Sequence, residues 1–323
     1  MDMNAVVLAG EREGAKLIRG TNKALLPLCG RPIISYVMEA LAGASRVHEI
    51  YVVGPAERLE QGLKDFDFAK PVHYVAQKEN IFENIWTGFF ASLPEDVMNL
   101  SSKELVETQH ADKPIFVITC DMPFIRPEDF DSFIESADLK DIEIVLGVTR
   151  KELLLPFAPE GETPGIEFAY FCFREFIVRH ANIYIIKPLR LAKILEKYIP
   201  LIYGIRYQKQ IRNMIRASAT LVRLGIGLRP LYIFLAFQIG RTLDGWKFRR
   251  TRDFLRKGVP EKMVVDYVYR ALQTRVSILP TKGPGPALDI DNEPHLEIAE
   301  KMFGRWQEIC AKILAGTYEL PSP

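Results

Sequence analysis

Cysteine is scarce and scattered in this 323-residue chain. Cys29, Cys120, Cys172 and Cys310 form no CxxC pair and no other metal-like spacing, so a zinc site is not expected. Isolated thiols of this kind fit a reducing compartment, where they act as small hydrophobes. The opening Met-Asp-Met-Asn runs directly into Ala-Val-Val-Leu-Ala-Gly. It has neither a basic region nor a cleavable apolar core, and no secretory signal is expected. The glycine loop that follows lacks the Walker spacing GxxxxGK with Ser or Thr, which speaks against P-loop ATPase chemistry. It also lacks GxGxxG, the dinucleotide fingerprint. There is no internal repeat and no low-complexity tract. Leu224 to Gly240 is strongly apolar but short for a membrane span, and Arg229-Pro230 breaks it.

What remains is ordinary for a soluble globular protein: 48% apolar and 26% charged residues. A chain of this length buries a full core without staples. The net charge of +1 hides an asymmetry. Between Lys187 and Lys257 stand 17 Lys/Arg and three acids, Glu196, Asp244 and Asp253. A split of this size marks a separate module. The expected organisation is a core of residues 1–187 and 275–323, interrupted by a basic, helical insertion at 188–274.

Short apolar runs at Ala5–Ala9, Glu49–Val53, Val72–Ala76, Pro114–Thr119 and Ile142–Val148 read as strands. Pro32–Ala42 has helical spacing, with Ile33, Val37, Met38 and Leu41 on one face. A second helix is expected over Phe82–Leu93, and the 95–112 region reads as a loop or loose helix. After Pro188 the pattern turns helical to about Leu272. Strand character returns at Arg275–Leu279, and a last helix covers His295–Leu314. Strands alternating with helices predict an α/β fold: a Rossmann-like, mostly parallel sheet flanked by helices. In such sheets ligands bind at the carboxyl ends of the strands.

Three segments at those ends carry candidate chemistry. The first is Val6-Val-Leu-Ala-Gly10-Glu-Arg12, followed by Lys23-Ala-Leu-Leu-Pro-Leu-Cys-Gly30-Arg-Pro32. A small-residue loop lets backbone N–H groups approach phosphate oxygens, and Arg12 and Lys23 add positive charge. A surface loop with solvated cations would read the same way. The second is Cys120-Asp121-Met-Pro123, where a buried strand delivers one carboxylate to the sheet edge. Asp121 suits Mg²⁺ held against phosphates, or a turn or helix cap. Arg126-Pro127-Glu128-Asp129 supplies its own helix start, which leaves Asp121 less needed as a cap. The third is Asp289-Ile-Asp291-Asn-Glu-Pro-His-Leu296. In extended chain both carboxylates share a face, and a nearby cation would relieve their repulsion. Asp291 or Asn292 could also cap the last helix.

Taken together, these segments resemble the NTP-transferase family typified by molybdopterin guanylyltransferase, which includes sugar-nucleotide and cytidylyl transferases. The match lies in Leu8-Ala-Gly10, Lys23-Ala-Leu-Leu-Pro-Leu, Gly30-Arg-Pro32, Cys120-Asp121-Met-Pro123 and Asp289-Ile-Asp291-Asn-Glu-Pro-His-Leu296. Glu83-Asn84-Ile-Trp-Thr-Gly88 resembles the family's helix near the nucleobase. Glu11 stands where a second glycine is usual, and the family's Arg-Met-Gly triplet is absent. The resemblance implies the nucleotidyltransferase, or GT-A-like, fold. It implies a nucleotide site built from Leu8, Ala9, Gly10, Glu11, Arg12, Lys23, Gln77, Asn84, Gly88 and Asp121. It implies Arg12, Lys23 and Asp121 as catalytic residues. It also implies Mg²⁺, replaceable by Mn²⁺, on Asp121, Asp291 and Asp289.

The activity so implied moves a nucleoside monophosphate from an NTP to a phosphorylated acceptor, a small molecule or a lipid-linked one, and releases pyrophosphate. The alternatives are a catalytically attenuated nucleotide-binding or interaction module and, ranked lower, a glycosyltransferase that uses Asp289-Ile-Asp291 as a DxD. No nucleic-acid partner is expected. The expected location is cytoplasmic. Residues 188–257 are candidates for peripheral contact with the inner face of a membrane, or for a homodimer contact.

Overall fold

The apolar runs become strands of a single large sheet. The structure is a computed structural model and describes residues 2–11, 18, 21–97, 100–191, 229–245 and 248–321. Strands are β1 (Met3–Leu8), β2 (Pro27–Leu28), β3 (Arg31–Pro32), β4 (Val47–Gly54), β5 (Val72–Ala76), β6 (Ile115–Thr119), β7 (Ile144–Arg150), β8 (Phe171–Cys172), β9 (Ile177–Ile186) and β10 (Val276–Pro280). Helices are α1 (Ile33–Gly43), α2 (Ala56–Leu63), α3 (Ile81–Ala91), α4 (Ser102–Leu105), α5 (Pro127–Ser136), α6 (Lys151–Leu154), α7 (Arg229–Gly245), α8 (Arg249–Arg256), α9 (Glu261–Leu272) and α10 (Glu293–Leu314).

The main sheet runs β10-β7-β9-β6-β1-β4-β5, with β8 paired to β9. β1 is parallel to β4 and β6, β4 to β5, and β10 to β7. β9 is antiparallel to both β6 and β7. The sequence reading does not include β9. Its alternation is interrupted by Arg179, His180 and Asn182, and a strand reversed between two parallel neighbours leaves no βαβ signature. The β7–β9 register shifts at Gly147. A Cβ there would lie 2.7 Å from Ile183 Cγ1 and 2.8 Å from its carbonyl oxygen, so only glycine fits.

Both sheet faces are covered, as the near-continuous apolar runs require. Alternation along β1 sends Ala5 and Val7 to the face shared with Val37, Met38, Phe130 and Phe133, while Val6 joins Val53 and Phe89 on the other. The α1 residues Ile33, Val37, Met38 and Leu41 are all fully buried. A further core forms where α10 buries Trp306 against Phe124 and Phe157, ring centroids 5.2 and 5.5 Å away. The 95–112 region holds α4 and short 3₁₀ turns at Glu95–Val97 and Gln109–Asp112.

Within the expected insertion, α7, α8 and α9 are described. Phe237 on α7 packs its ring edge-on against Phe171 and Phe173, beside the β8–β9 turn. Among the basic residues between Lys187 and Lys257, Arg206, Lys209, Arg212, Arg216, Arg223 and Lys247 lie outside the described residues, as do Arg12 of the first loop and Lys16 and Arg19, the cations between it and Lys23. Among the described residues no helix is long and apolar enough to cross a membrane.

Candidate active site

The strand directions place the carboxyl ends of β1, β4, β5, β6, β7 and β10 on one edge. After β1, Ala9 extends the ladder by one bond, Ala9 N to Val53 O at 2.9 Å, and the chain then opens into Gly10. Gln77, the residue after β5, holds this loop by its backbone. Its Oε1 accepts the Glu11 N–H at 2.7 Å and its Nε2 donates to Glu11 O at 2.8 Å. A Cβ on Gly10 would sit 3.1 Å from Asn84 Nδ2 and 3.3 Å from Gln77 Oε1. Asn84 is itself fixed, because its Oδ1 accepts the Lys78 N–H at 2.6 Å. Glu11 turns its carboxylate to Arg58 Nη1 on α2, 2.8 Å away.

Asn22 supports the loop from the other side. Its Oδ1 accepts the Ala24 N–H at 2.7 Å and so caps the short 3₁₀ helix Lys23–Leu25, while its Nδ2 donates to Ala9 O. The cap sets the direction of Lys23. The ammonium meets Asp121 Oδ2 and lies 2.9 Å from Asp291 Oδ1. Asp121 is positioned again from its own strand, since Thr119 Oγ1 donates to its Oδ1 at 2.5 Å.

The distant Asp289 and Asp291 reach this point because the chain after β10 returns across it, with Ile290 N donating to Asp121 O at 3.0 Å. Ile290 is buried in the core below. Arg179 on β9 binds Asp289, Nη2 to Oδ1 at 2.8 Å, and both side chains are nearly buried. Asn292 caps α10, accepting the His295 N–H at 2.9 Å, which leaves the Asp291 carboxylate for the site. One oxygen each from Asp121, Asp289 and Asp291 lie within 4.8 Å of one another.

The electrostatics follow from this crowding. Burial pushes the Asp289 carboxyl up to about 6, opposed by Arg179 and reinforced by Asp121 and Asp291. Burial also works to raise Asp291, but a hydrogen bond from Asp289 and the charge of Lys23 hold it below its usual value. For Lys23, burial works to lower the ammonium; the charges and hydrogen bonds of Asp121 and Asp291 outweigh it and hold it above the usual value. The site therefore gathers three acids with two cations, Lys23 on Asp121 and Asp291 and Arg179 on Asp289. All its acidic donors are hard carboxylate oxygens, the set that suits Mg²⁺ or Mn²⁺ rather than a soft metal. Mg²⁺ binds oxygens at about 2.1 Å, so two of its ligands lie at most about 4.2 Å apart; oxygens within 4.8 Å of one another need a modest side-chain adjustment to share one ion, and the Lys23 ammonium already marks a cation position between two of the acids.

Beside the aspartates opens a cavity of about 300 Å³. Of the expected nucleotide residues, Leu8, Gly10, Glu11, Lys23, Asn84 and Asp121 line it. Ala9 and Gln77 stand behind the loop. Gly88 lies in the helix–sheet contact, where a Cβ would meet Val6 and Val53 at 2.7 to 3.0 Å. Three supporting residues escape the sequence reading: Asn22, Thr119 and Arg179. Asn22 carried a usable signal, an Asn directly before Lys-Ala-Leu-Leu in capping position. Arg179 carried none, because its partner lies 110 residues away.

Comparison with known proteins places the chain among relatives. The bifunctional protein GlmU of Zymomonas mobilis is 37% identical over 79 residues, 24% of this chain, and the chain spans only 17% of the GlmU length in that match. A hypothetical transferase from Thermus thermophilus superposes with a TM-score of 0.51 at 21% identity, over 92% of this chain and 100% of its own. That likeness shows the fold. The 4-diphosphocytidyl-2C-methyl-D-erythritol synthase of Anaerococcus prevotii scores 0.48 at 11% identity, over 94% of this chain and 96% of its own. A family model matches residues 5–223, which takes in the first loop, Lys23, Gln77, Asn84 and Asp121 and stops short of Asp289 and Asp291. By that match the chain belongs to the MobA-like NTP transferase domain family.

Proposed function

We propose that this chain moves a nucleoside monophosphate from an NTP to a phosphorylated acceptor, with Mg²⁺ or Mn²⁺ as cofactor. An acceptor phosphate oxygen bonds to the α-phosphorus. The bond from that phosphorus to the oxygen bridging to the β-phosphate breaks, and pyrophosphate leaves with the electron pair. Little covalent work falls to the protein in such a transfer; positioning and charge neutralisation supply the rate. The observation that carries the reading is the meeting of Asp121, Asp289 and Asp291 with Lys23 beside the Gly10 cavity.

In this reading Gly10 brings backbone N–H groups up to the triphosphate, and Gln77 keeps the loop in shape. Lys23, on a flexible stem, turns from the carboxylates to the phosphates once nucleotide is present. Asp121 and Asp291 hold the metal, with Asp289 behind them and steadied by Arg179. The bound cation supplies neutralisation of phosphate charge. The Glu11 carboxylate, turned to Arg58, adds no uncompensated negative charge against the nucleotide. The presence of both Asp121 and Asp291 at the site favours an active enzyme over an attenuated binding module. Arg12 belongs to the same phosphate-facing set by family resemblance.

Pyrophosphate release, measured with each of the four NTPs, Mg²⁺ and a panel of phosphorylated acceptors, tests the proposal. Release that EDTA stops and that Asp121→Asn lowers by about 10³-fold or more, with an unchanged melting curve, is the expected result. Undiminished release by Asp121→Asn would falsify the metal assignment.

A further inference from the structure

A second cavity, of about 370 Å³, opens on the other half of the same sheet edge. It belongs partly to the core and partly to the insertion. The core contributes Arg150 at the carboxyl end of β7, Lys151 beside it, and the turn that leads into β9. The insertion contributes Arg252 and Arg256, four residues apart on α8 and therefore on one helix face. The family match ends at residue 223, so these two arginines come from outside the matched domain.

The cavity is close to the aspartates. Arg150 follows Thr149, which pairs directly with Arg179 across the β7–β9 ladder, and Arg179 binds Asp289. One residue step and one ladder step, each on the order of 5 Å, thus separate its rim from the backbone of the arginine that holds Asp289.

Its chemistry is cationic and fixed in place. Arg252 is almost wholly buried, an unusual setting for a guanidinium. Asp253 Oδ1 bridges it to its neighbour, 2.9 Å from Arg252 Nη2 and 3.1 Å from Arg256 Nε. Arg256 is tied to the core as well, Nη1 to Phe173 O at 3.2 Å. Glu175 also lines the space, but its carboxylate is engaged by the Glu261 N–H at 3.0 Å. With Glu152 the lining holds four cations and three carboxylates, and two of the cations are oriented before any ligand arrives. Planar guanidiniums held in this way match the oxygens of a phosphoryl group. The volume suits a small molecule.

We propose that this cavity is a phosphoryl-binding subsite for a small soluble acceptor, completed by Arg252 and Arg256 of the insertion. This rests on the nucleotidyltransferase reading above. The nucleotide occupies the β1–β6 half of the edge and the acceptor the β7–β9 half, with the aspartates between them. The insertion thereby selects acceptors, and the base of the nucleotide is read elsewhere.

The test is calorimetric titration of the full chain with inorganic phosphate, in magnesium-free buffer at low salt. Arg150→Gln and Arg256→Gln are each expected to weaken phosphate binding tenfold or more and to leave the affinity for Mg²⁺-NTP within twofold of wild type. Arg150 is exposed, so its variant reads the site without disturbing the core. Phosphate binding is expected to persist when a non-hydrolysable NTP with Mg²⁺ saturates the other cavity. Equal phosphate affinity in wild type and both variants overturns the subsite, as does displacement of phosphate by the nucleotide analogue. A wild-type chain that binds no Mg²⁺-NTP, yet holds phosphate through Arg150 and Arg256, breaks the nucleotidyltransferase reading instead, so the two failures are distinct.

Discussion

The two halves of the sheet's carboxyl edge are built in different ways. In the half formed by β1, β4, β5 and β6, three candidate residues follow their strands almost at once: Gly10 two residues after Leu8, Gln77 one after Ala76, Asp121 two after Thr119. In the half formed by β7, β9 and β10, Asp289 comes nine residues after Pro280, through a glycine and proline loop. It is placed by Arg179 and by the Ile290–Asp121 backbone bond. In the first half the positions of these three residues are encoded locally, whereas Asp289 is placed only by long-range contacts. A change in the first half removes one group; a change in the second misplaces several.

The sharpest way to test that contrast lies in the paired aspartates. Asp291 makes contact with Lys23, whereas Asp289 is buried behind it against Arg179. Asp291→Asn is expected to lower pyrophosphate release by about 10²-fold and Asp289→Asn by about tenfold, the size typical of a group that orients a metal ligand. Steady-state rates at saturating NTP decide it. Equal losses in the two variants would break the proposed order of contact.

A smaller effect than the loss at Asp291 is expected at Lys23. Lys23→Ala deletes one phosphate counter-charge and leaves the Asn22 cap in place. Losing a charged hydrogen bond worth about 1.5 kcal/mol corresponds to roughly tenfold weaker NTP binding. Calorimetry at low salt reads this directly, and identical affinities would remove Lys23 from the phosphate site.

The same contrast explains what could be read from the sequence. The strands from β1 to β7 and β10, excepting the two-residue β2 and β3, follow from short apolar runs, because a strand buried on both faces needs little else. Asp121, Asp289 and Asp291 were legible as acids at strand ends or in alternation, and the structure brings them within one ion's reach. β9 was not legible, since its pairing depends on two strands more than 25 residues distant at the closest. With β9 unseen, Arg179 had no reason to stand out. The clamp of Gln77 on Glu11 was equally hidden, because a side-chain amide bonded to a backbone 66 residues away leaves no periodic trace. The expected insertion divides in the same way: its charge asymmetry was visible from composition, while the contact of α7 with the β8–β9 turn depends on Phe237 meeting Phe171 and Phe173 in space.

The last expected effect is on stability rather than on rate or binding, and it concerns the joint between the halves. Asp129, in the first turn of α5, is completely enclosed, and its Oδ2 accepts the Arg126 N–H at 3.1 Å. It presses on the loop that carries Asp289: a Cβ at Gly283 would collide with Asp129, and one at Gly285 would lie 2.8 Å from its Oδ2. Burial pushes the Asp129 carboxyl up to about 7, with Glu128 adding to the rise and the Arg126 N–H and guanidinium opposing it. A carboxyl whose folded pKa exceeds its unfolded value of about 3.9 binds more protons in the folded state. Its contribution to stability is complete below about pH 4 and is lost as pH rises through 7. Wild-type stability is therefore expected to carry a loss of roughly 2 to 3 kcal/mol between pH 5 and pH 8 from this group. Asp129→Asn keeps an oxygen for the Arg126 N–H and cannot ionise, so its urea-unfolding free energy should fall less over the same range. The difference between the two curves isolates Asp129, since other titrations are common to both. Parallel curves would mean that Asp129 stays in one protonation state across this range, and that the joint between the halves holds without a pH-dependent part.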